Sequence, residues 1–187
     1  RKPYVIACIP AYNEEMTIAK VVLKTKKYVD KVIVCDDGSS DMTGEIAEAL
    51  GAEVIRHERN LGKGAALRTL FRKARGENSD IVITLDADGQ HNPSEISVLV
   101  NIMMETGADI VVGSRFLTEE VAKKVPNYRY IGNRILTVVT SVDRVLDTQS
   151  GFRVYSRKVV ELINPVEMGF AVDSEILYKA SELGLKI

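Results

Sequence analysis

The stretch "VITLDADGQHNP" (residues 82–93) joins an apolar, β-branched run to two aspartates one residue apart, followed by a glycine, a glutamine and an Asn-Pro pair. A short apolar run ended by polar residues reads as a buried strand, and the Asn-Pro behind it reads as a helix start. Asn92 takes the N-cap position, Pro93 the first helical position and Glu95 the third, a capping-box arrangement. Strand, polar turn and helix in succession form the repeating step of an α/β protein.

The same step recurs in both directions. "YVIACIP" (4–10), "KVIVCDD" (31–37), "AEVIRHE" (52–58) and "DIVVGSR" (109–115) read as further strands beside "DIVITLDAD" (80–88). Helical patterns fill 14–28, 42–50, 63–75 and 93–107, with Asn13 and Asp41 placed to cap the first two. Strands apolar on both faces and alternating with helices predict a Rossmann-like, mostly parallel sheet with helices on both faces, hence an α/β fold. Beyond Arg115 the alternation stops: a basic, helical stretch covers 118–147, "DTQSGFRVYS" follows, and a last helix is expected near 171–183.

A chain of 187 residues, 45% of them apolar, fits one compact domain over 1–187. Its formal net charge of −1 gives no overall footprint for nucleic acid. Cys8 and Cys35 both fall inside apolar strands, which fits plain core residues in a reducing, cytoplasmic setting. No apolar run reaches the roughly 18 residues that span a bilayer, so contact with a membrane is expected from its side. The chain starts without methionine and stops at "ELGLKI", which reads as a strand being entered, so a truncated C-terminus is expected.

In an open parallel sheet ligands bind beyond the carboxyl ends of the strands. Those ends carry "PAYNEE", "DDGSSD", "DADGQH" and "GSR". Asp86 and Asp88 alternate onto one side of an extended segment, and Gln90 adds a carbonyl once Gly89 lets the chain turn. Few, hard oxygen ligands suit Mg²⁺ or Mn²⁺ bridging to substrate phosphates; the plain alternative is a helix cap, a place Asn92 already fills. A carboxylate of "VCDDGSSD" either shapes a turn or accepts from a nucleobase beside Pro10 and Tyr12. "NLGKGAALRTL" lacks the spacing of a nucleotide-triphosphatase loop, although Lys63 is a candidate phosphate contact. His57 reads as a surface residue, and His91 as a neighbour of the metal candidates.

Together "IPAYNEE", "VCDDGSSDMT", "NLGKGAALRTL", "LDADGQHNP", "VVGSRF" and "DTQSGFRVYSRKVV" resemble the family 2 glycosyltransferases of GT-A fold, and within them the dolichyl-phosphate mannose synthases and their polyprenyl-phosphate glucosyl relatives. The resemblance runs in order over residues 4 to 187. It implies a nucleoside pocket lined by Pro10, Tyr12, Glu14 and Asp37, with Cys35 contributing through its backbone and Ala87 and Lys63 beside the nucleotide. It implies a divalent cation held by Asp86, Asp88 and Gln90, with Asp88 at the reaction centre, and Arg115 near a donor or acceptor phosphate. It implies a wall beside the sugar and acceptor made by Arg134, Gln149, Ser150, Gly151 and Phe152. Where the mannose synthase type can carry a lysine after Gly-Phe of the last helix, "GFAVDSEIL" has Ala171, Asp173 and Glu175, which leaves the donor open.

The implied reaction is a single inverting displacement that moves a hexosyl group from GDP-mannose or a UDP-sugar to a dolichyl or polyprenyl phosphate, peripherally at the cytoplasmic membrane face. A lipid phosphate is largely ionised at neutral pH and needs no protein base, whereas a saccharide hydroxyl does. Asp173 is the candidate base for the saccharide alternative, or else pairs with Lys179 or Arg153. Lys123, Lys124, Arg129, Arg134 and Arg144 either form a solvated face or attract anionic headgroups. A nucleotidyltransferase would place a glycine-rich basic loop after the first strand, where "IPAYNEE" has neither glycine nor base. A non-catalytic sensor would be free to lose the Asp-x-Asp pair, which is intact.

Overall fold

The computed structural model describes residues 1–113 and 150–187. These build one six-stranded sheet from β1 (Val5–Ala11), β2 (Lys31–Asp36), β3 (Glu53–Arg56), β4 (Ile81–Thr84), β5 (Ile110–Val112) and β6 (Arg153–Ser156), in the order β3-β2-β1-β4-β6-β5. The four strands β3, β2, β1 and β4 are parallel, whereas β6 runs antiparallel to both β4 and β5. Five strands lie where the apolar runs place them; β6 had no predicted counterpart.

The helices are α1 (Ile18–Thr25), α2 (Thr43–Ala49), α3 (Lys63–Gly76), α4 (Ile96–Thr106), α5 (Arg157–Leu162) and α6 (Val172–Glu182). Side-chain alternation along β1 splits the core in two. Val5, Ala7 and Ile9 join α1, α2 and α4 residues such as Ile18, Ala47 and Leu99. Ile6 and Cys8 join Leu67, Leu70, Val159 and Ile176 of α3, α5 and α6. Both faces are therefore covered, which is why the strands carry no polar stripe.

Local signals hold unevenly. Asn92 accepts from the Ser94 amide at 3.2 Å, with Pro93 opening a 3-10 turn that runs into α4. Asp41 accepts from the amide of Thr43 at 3.0 Å and so serves the start of α2. The cap expected at Asn13 is corrected: α1 starts later, after Thr17, and Asn13 sits at φ 53 with its carbonyl receiving the Ser40 amide. At the C-terminal end the Lys186 carbonyl accepts from the amides of Asp109 and Ile110, so residues 185–187 lie along β5 without forming a ladder. The helix expected over 118–147 lies outside the described residues. Among the described residues no helix is long and apolar enough to cross a membrane.

Candidate active site

The sheet order sets the site. The chain winds outward from β1 to β2 and β3, then returns across β1 to β4, so the carboxyl ends of β1 and β4 part at a switch point. A cavity of about 410 Å³ opens there. Pro10, Ala11, Tyr12 and Glu14 line it from the end of β1, and Asp86, Ala87 and Asp88 from the end of β4. Asp37 comes from beyond β2, Asn60, Gly62, Lys63 and Ala66 from the loop into α3 and its first turn, and Phe170 from the segment before α6.

Charge is concentrated on one side of this cavity. The Lys63 ammonium lies 2.9 Å from Oδ1 of Asp86 and 2.9 Å from Oδ2 of Asp173, with the Phe170 ring centroid 5.9 Å away. His91 Nε2 lies 3.1 Å from the other oxygen of Asp86, and Phe152 stacks behind the imidazole with 5.3 Å between centroids. Burial alone would raise the Asp86 carboxyl, but the His91 hydrogen bond and the Lys63 ammonium outweigh it and hold Asp86 well below the usual carboxylate range. Lys63 is burdened by burial too, yet Asp86 and Asp173 keep its ammonium above its ordinary value. For Asp173 burial wins over Arg153 and Lys63, and its carboxyl is raised.

The residues named from sequence fall into three groups. Pro10, Tyr12, Glu14, Asp37, Lys63, Asp86, Ala87 and Asp88 are brought together around one cavity. Arg115, Arg134 and Gln149 lie outside the described residues, as do Lys123, Lys124, Arg129 and Arg144. Of the remainder, Gly151 reaches the site and the others stand elsewhere than expected. Gln90 is corrected first: β4 ends at Thr84, so residues 86–88 form a turn rather than an extended run, and Gly89 at φ 77 sends Gln90 to a separate hollow with Lys20 and Lys24. The Gln90 amide meanwhile donates to Asp88 at 2.9 Å.

Cys35 is corrected next, since it lies inside β2, paired with Pro10 and Ile55 in the ladders and away from the cavity. Burial, then the nearby Asp37 and Asp36, push its thiol up to about 12. Both cysteines are buried and free, as the apolar runs imply. Phe152 is 1% exposed and supports His91 from the core instead of walling a sugar. Ser150 donates to the Gly113 carbonyl at 2.6 Å. Gly151 does reach the site: a Cβ there would lie 2.6 and 2.7 Å from the Asp86 oxygens and 2.8 Å from Lys63 Nζ. Asp173 is 2% exposed and outside the cavity lining, paired with Lys63 while its backbone carbonyl receives Arg153; Lys179 pairs with Glu175.

His57 is no surface residue. Its Nδ1 lies 2.6 Å from Oδ1 of Asp37 and its Nε2 3.0 Å from the Thr69 hydroxyl, and its side chain is 12% exposed. Asp37 also accepts from the amides of Leu61 and Gly62 at 2.8–3.2 Å, so both its oxygens have donors. Its carboxylate thereby fastens the 60–62 loop. Asn60 and Phe170 were missed in the sequence; "NLGKG" and the Gly-Phe pair were the signals available.

Asp86 and Asp88 fit a small divalent cation. They line the cavity and offer hard oxygens to it. That pattern matches Mg²⁺ or Mn²⁺, which take few protein ligands and complete their shell with water and phosphate oxygens.

Residues 6–163 match the family model described as glycosyl transferase family 2. The chain belongs to glycosyl transferase family 2. This family 2 glycosyltransferase is 35% identical over 178 residues to a UDP-N-acetylglucosamine–dolichyl-phosphate N-acetylglucosaminyltransferase of Methanococcus voltae, covering 83% of this chain and 70% of that one. It is 33% identical over 208 residues to a dolichyl-phosphate beta-glucosyltransferase of Trichomonas vaginalis, covering 98% and 63%. Among solved structures it resembles the glucosyl-3-phosphoglycerate synthase of Mycobacterium tuberculosis in complex with Mn²⁺, uridine-diphosphate-glucose and phosphoglyceric acid. The TM-score is 0.72 at 26% identity, over 97% of this chain and 66% of the synthase. The glycosyltransferase thus spans just under two thirds of the length of the latter two proteins.

Proposed function

We propose that this glycosyltransferase moves a hexosyl group from a nucleotide-diphosphate sugar to a polyprenyl phosphate, with inversion at the anomeric carbon, as one domain working at a membrane surface. The observation that carries the reading is the meeting of Asp86, Asp88 and Lys63 in one cavity with Pro10, Tyr12 and Glu14 at the β1/β4 switch point. The two dolichyl-phosphate sugar transferases among its relatives support the acceptor class, and the Mn²⁺ complex of the synthase supports the cation.

The nucleoside lies against Pro10 and Tyr12, in a pocket whose floor Asp37 and His57 hold rigid through the 60–62 loop. Asp88 and Asp86 would hold Mg²⁺ or Mn²⁺, which would supply positive charge against the departing diphosphate. Lys63 adds a second positive centre on the same side, in a partly buried setting where charge acts strongly. The Gly151 backbone closes the site behind Asp86.

An acceptor phosphate attacks as an ionised oxygen, so no side chain has to remove a proton. Asp173, the earlier candidate base, is engaged by the Lys63 ammonium and is not among the residues lining the cavity, which favours the phosphate acceptor over a saccharide hydroxyl.

The test is transfer from radiolabelled UDP-glucose, UDP-N-acetylglucosamine and GDP-mannose to polyprenyl phosphate in detergent, with Mn²⁺ and with chelator. One donor is expected to give a chloroform-soluble, cation-dependent product that Asp88→Asn abolishes. Label moving only to a water-soluble saccharide would overturn the lipid acceptor.

A further inference from the structure

Asp86 has both carboxylate oxygens engaged. Oδ1 holds the Lys63 ammonium at 2.9 Å, and Oδ2 holds His91 Nε2 at 3.1 Å. The ammonium is fixed from its other side by Asp173, also at 2.9 Å, and the lysine side chain is only 11% exposed. Gly151 backs onto the pair so closely that not even a methyl group fits. Asp88 differs, since it stands in the cavity wall and accepts the Gln90 backbone amide on Oδ1. The chain thus carries a cation of its own against the first aspartate of the Asp-x-Asp pair.

We propose that the Lys63 ammonium is a resident counter-cation that competes with the divalent metal for Asp86 and is drawn off by the donor diphosphate, so that metal and nucleotide enter together. This rests on the reading of the site as a nucleotide and metal site. A divalent ion taken up by Asp86 would stand beside an ammonium that the same carboxylate already holds. Two positive centres repel there, and partial burial leaves little water to screen them. The diphosphate changes the balance by bringing negative charge to the mouth of the cavity, within reach of a side chain rooted on the first residue of α3. Lys63 then exchanges Asp86 for phosphate oxygens, keeps Asp173 as its anchor, and frees Asp86 for the metal. Such coupling is reciprocal: whatever factor the nucleotide adds to metal affinity, the metal adds to nucleotide affinity.

The experiment is titration of the nucleotide-free protein with Mn²⁺, read by the loss of the free-ion paramagnetic resonance signal, then repeated with UDP and with GDP. Lys63→Met and Lys63→Gln remove the ammonium, Lys63→Arg keeps a cation, and circular dichroism checks each fold. Both neutral variants are expected to bind Mn²⁺ about tenfold or more tighter than wild type without nucleotide, with Lys63→Arg staying near wild type, a factor within the ordinary span of site-to-site coupling. Added nucleotide is expected to tighten Mn²⁺ on the wild type about tenfold more than on the neutral variants, which keep only the gain from phosphate oxygens on the metal. Equal or weaker Mn²⁺ binding by a folded neutral variant overturns the proposal, and so does a wild type whose Mn²⁺ affinity ignores a nucleotide that it binds. Failure of the functional reading looks different: the wild type then binds neither UDP nor GDP and transfers no sugar, whatever the variants do with Mn²⁺.

Discussion

Gly151 stands where no side chain fits, and the atoms in the way are the reacting site's own charges. A methyl group there displaces Asp86 or Lys63, each of which is held from its other side by His91 or Asp173, so the strain falls on the catalytic geometry more than on the core. Gly151→Ala is expected to fold normally and to lose about a hundredfold in kcat/KM, the scale of loss when reacting groups shift by about an ångström. Steady-state kinetics beside a thermal melt decide it, and unchanged kinetics would remove Gly151 from the site. At this scale the sequence was most legible where polar residues sit directly behind an apolar run, as Pro10, Tyr12, Asp86 and Asp88 do. It was least legible where a partner is distant. Nothing local ties His57 to Asp37, twenty residues earlier, or Asp173 to Lys63. Gln90 was misplaced because the turn at Gly89 was read as bringing its side chain back beside Asp86 and Asp88, whereas at φ 77 it places the residue in the hollow with Lys20 and Lys24.

The element that shapes the mouth of the cavity is the segment between α5 and α6. Glu175, on the first turn of α6, accepts from the amides of Val166 and Glu167 at 2.8–3.1 Å and pairs with Lys179 at 2.6 Å. Burial opposes its charge, but the Lys179 ammonium and the two amides prevail and keep its carboxyl below the ordinary range. The segment so held sets the Met168 carbonyl on the Gly64 amide at 2.8 Å, which ties the start of α3 to the wall that carries Phe170. Glu175→Ala should cost about 1.5–3 kcal/mol, the range for hydrogen bonds to a charged group, and should weaken donor binding through a loosened α3 start. Urea unfolding and exchange of the Gly64 amide test this; unaltered protection at Gly64 would show the tie to be inconsequential. Helices α3 and α4 were legible from periodicity and caps, whereas β6 was not. Four residues with a fully buried Arg153 read as a strand only once Ser150 and Asp173 supply carbonyls to its guanidinium.

Across the whole molecule the sheet buries two thiols, and that sets a limit at high pH. Burial raises Cys35 to about 12 and pushes Cys8 upward as well, so the folded protein keeps protons that the unfolded chain gives up in the ordinary thiol range near 9. A raised folded value stabilises fully below the unfolded value and is lost as pH climbs toward the folded one. Stability should therefore fall above about pH 9, by up to about 1.4 kcal/mol per pH unit for each thiol. Urea midpoints between pH 8 and 10.5, for wild type and a Cys8→Ala/Cys35→Ala variant, check it; equal slopes would mean that other groups set the decline. The fold class was readable because every predicted strand is apolar on both faces, a property of the whole sheet that survives errors of a few residues at each end.

The seam between β5 and β6 has one more consequence. The Gly113 amide donates to the Phe152 carbonyl at 2.8 Å and the Gly113 carbonyl accepts from the Ser150 hydroxyl, so this end of the β5–β6 pair is closed by a clasp. The register of β5 against β6 is accordingly set by contacts among Gly113, Ser150 and Phe152 themselves, as a buckle holds two straps without regard to the cloth between them.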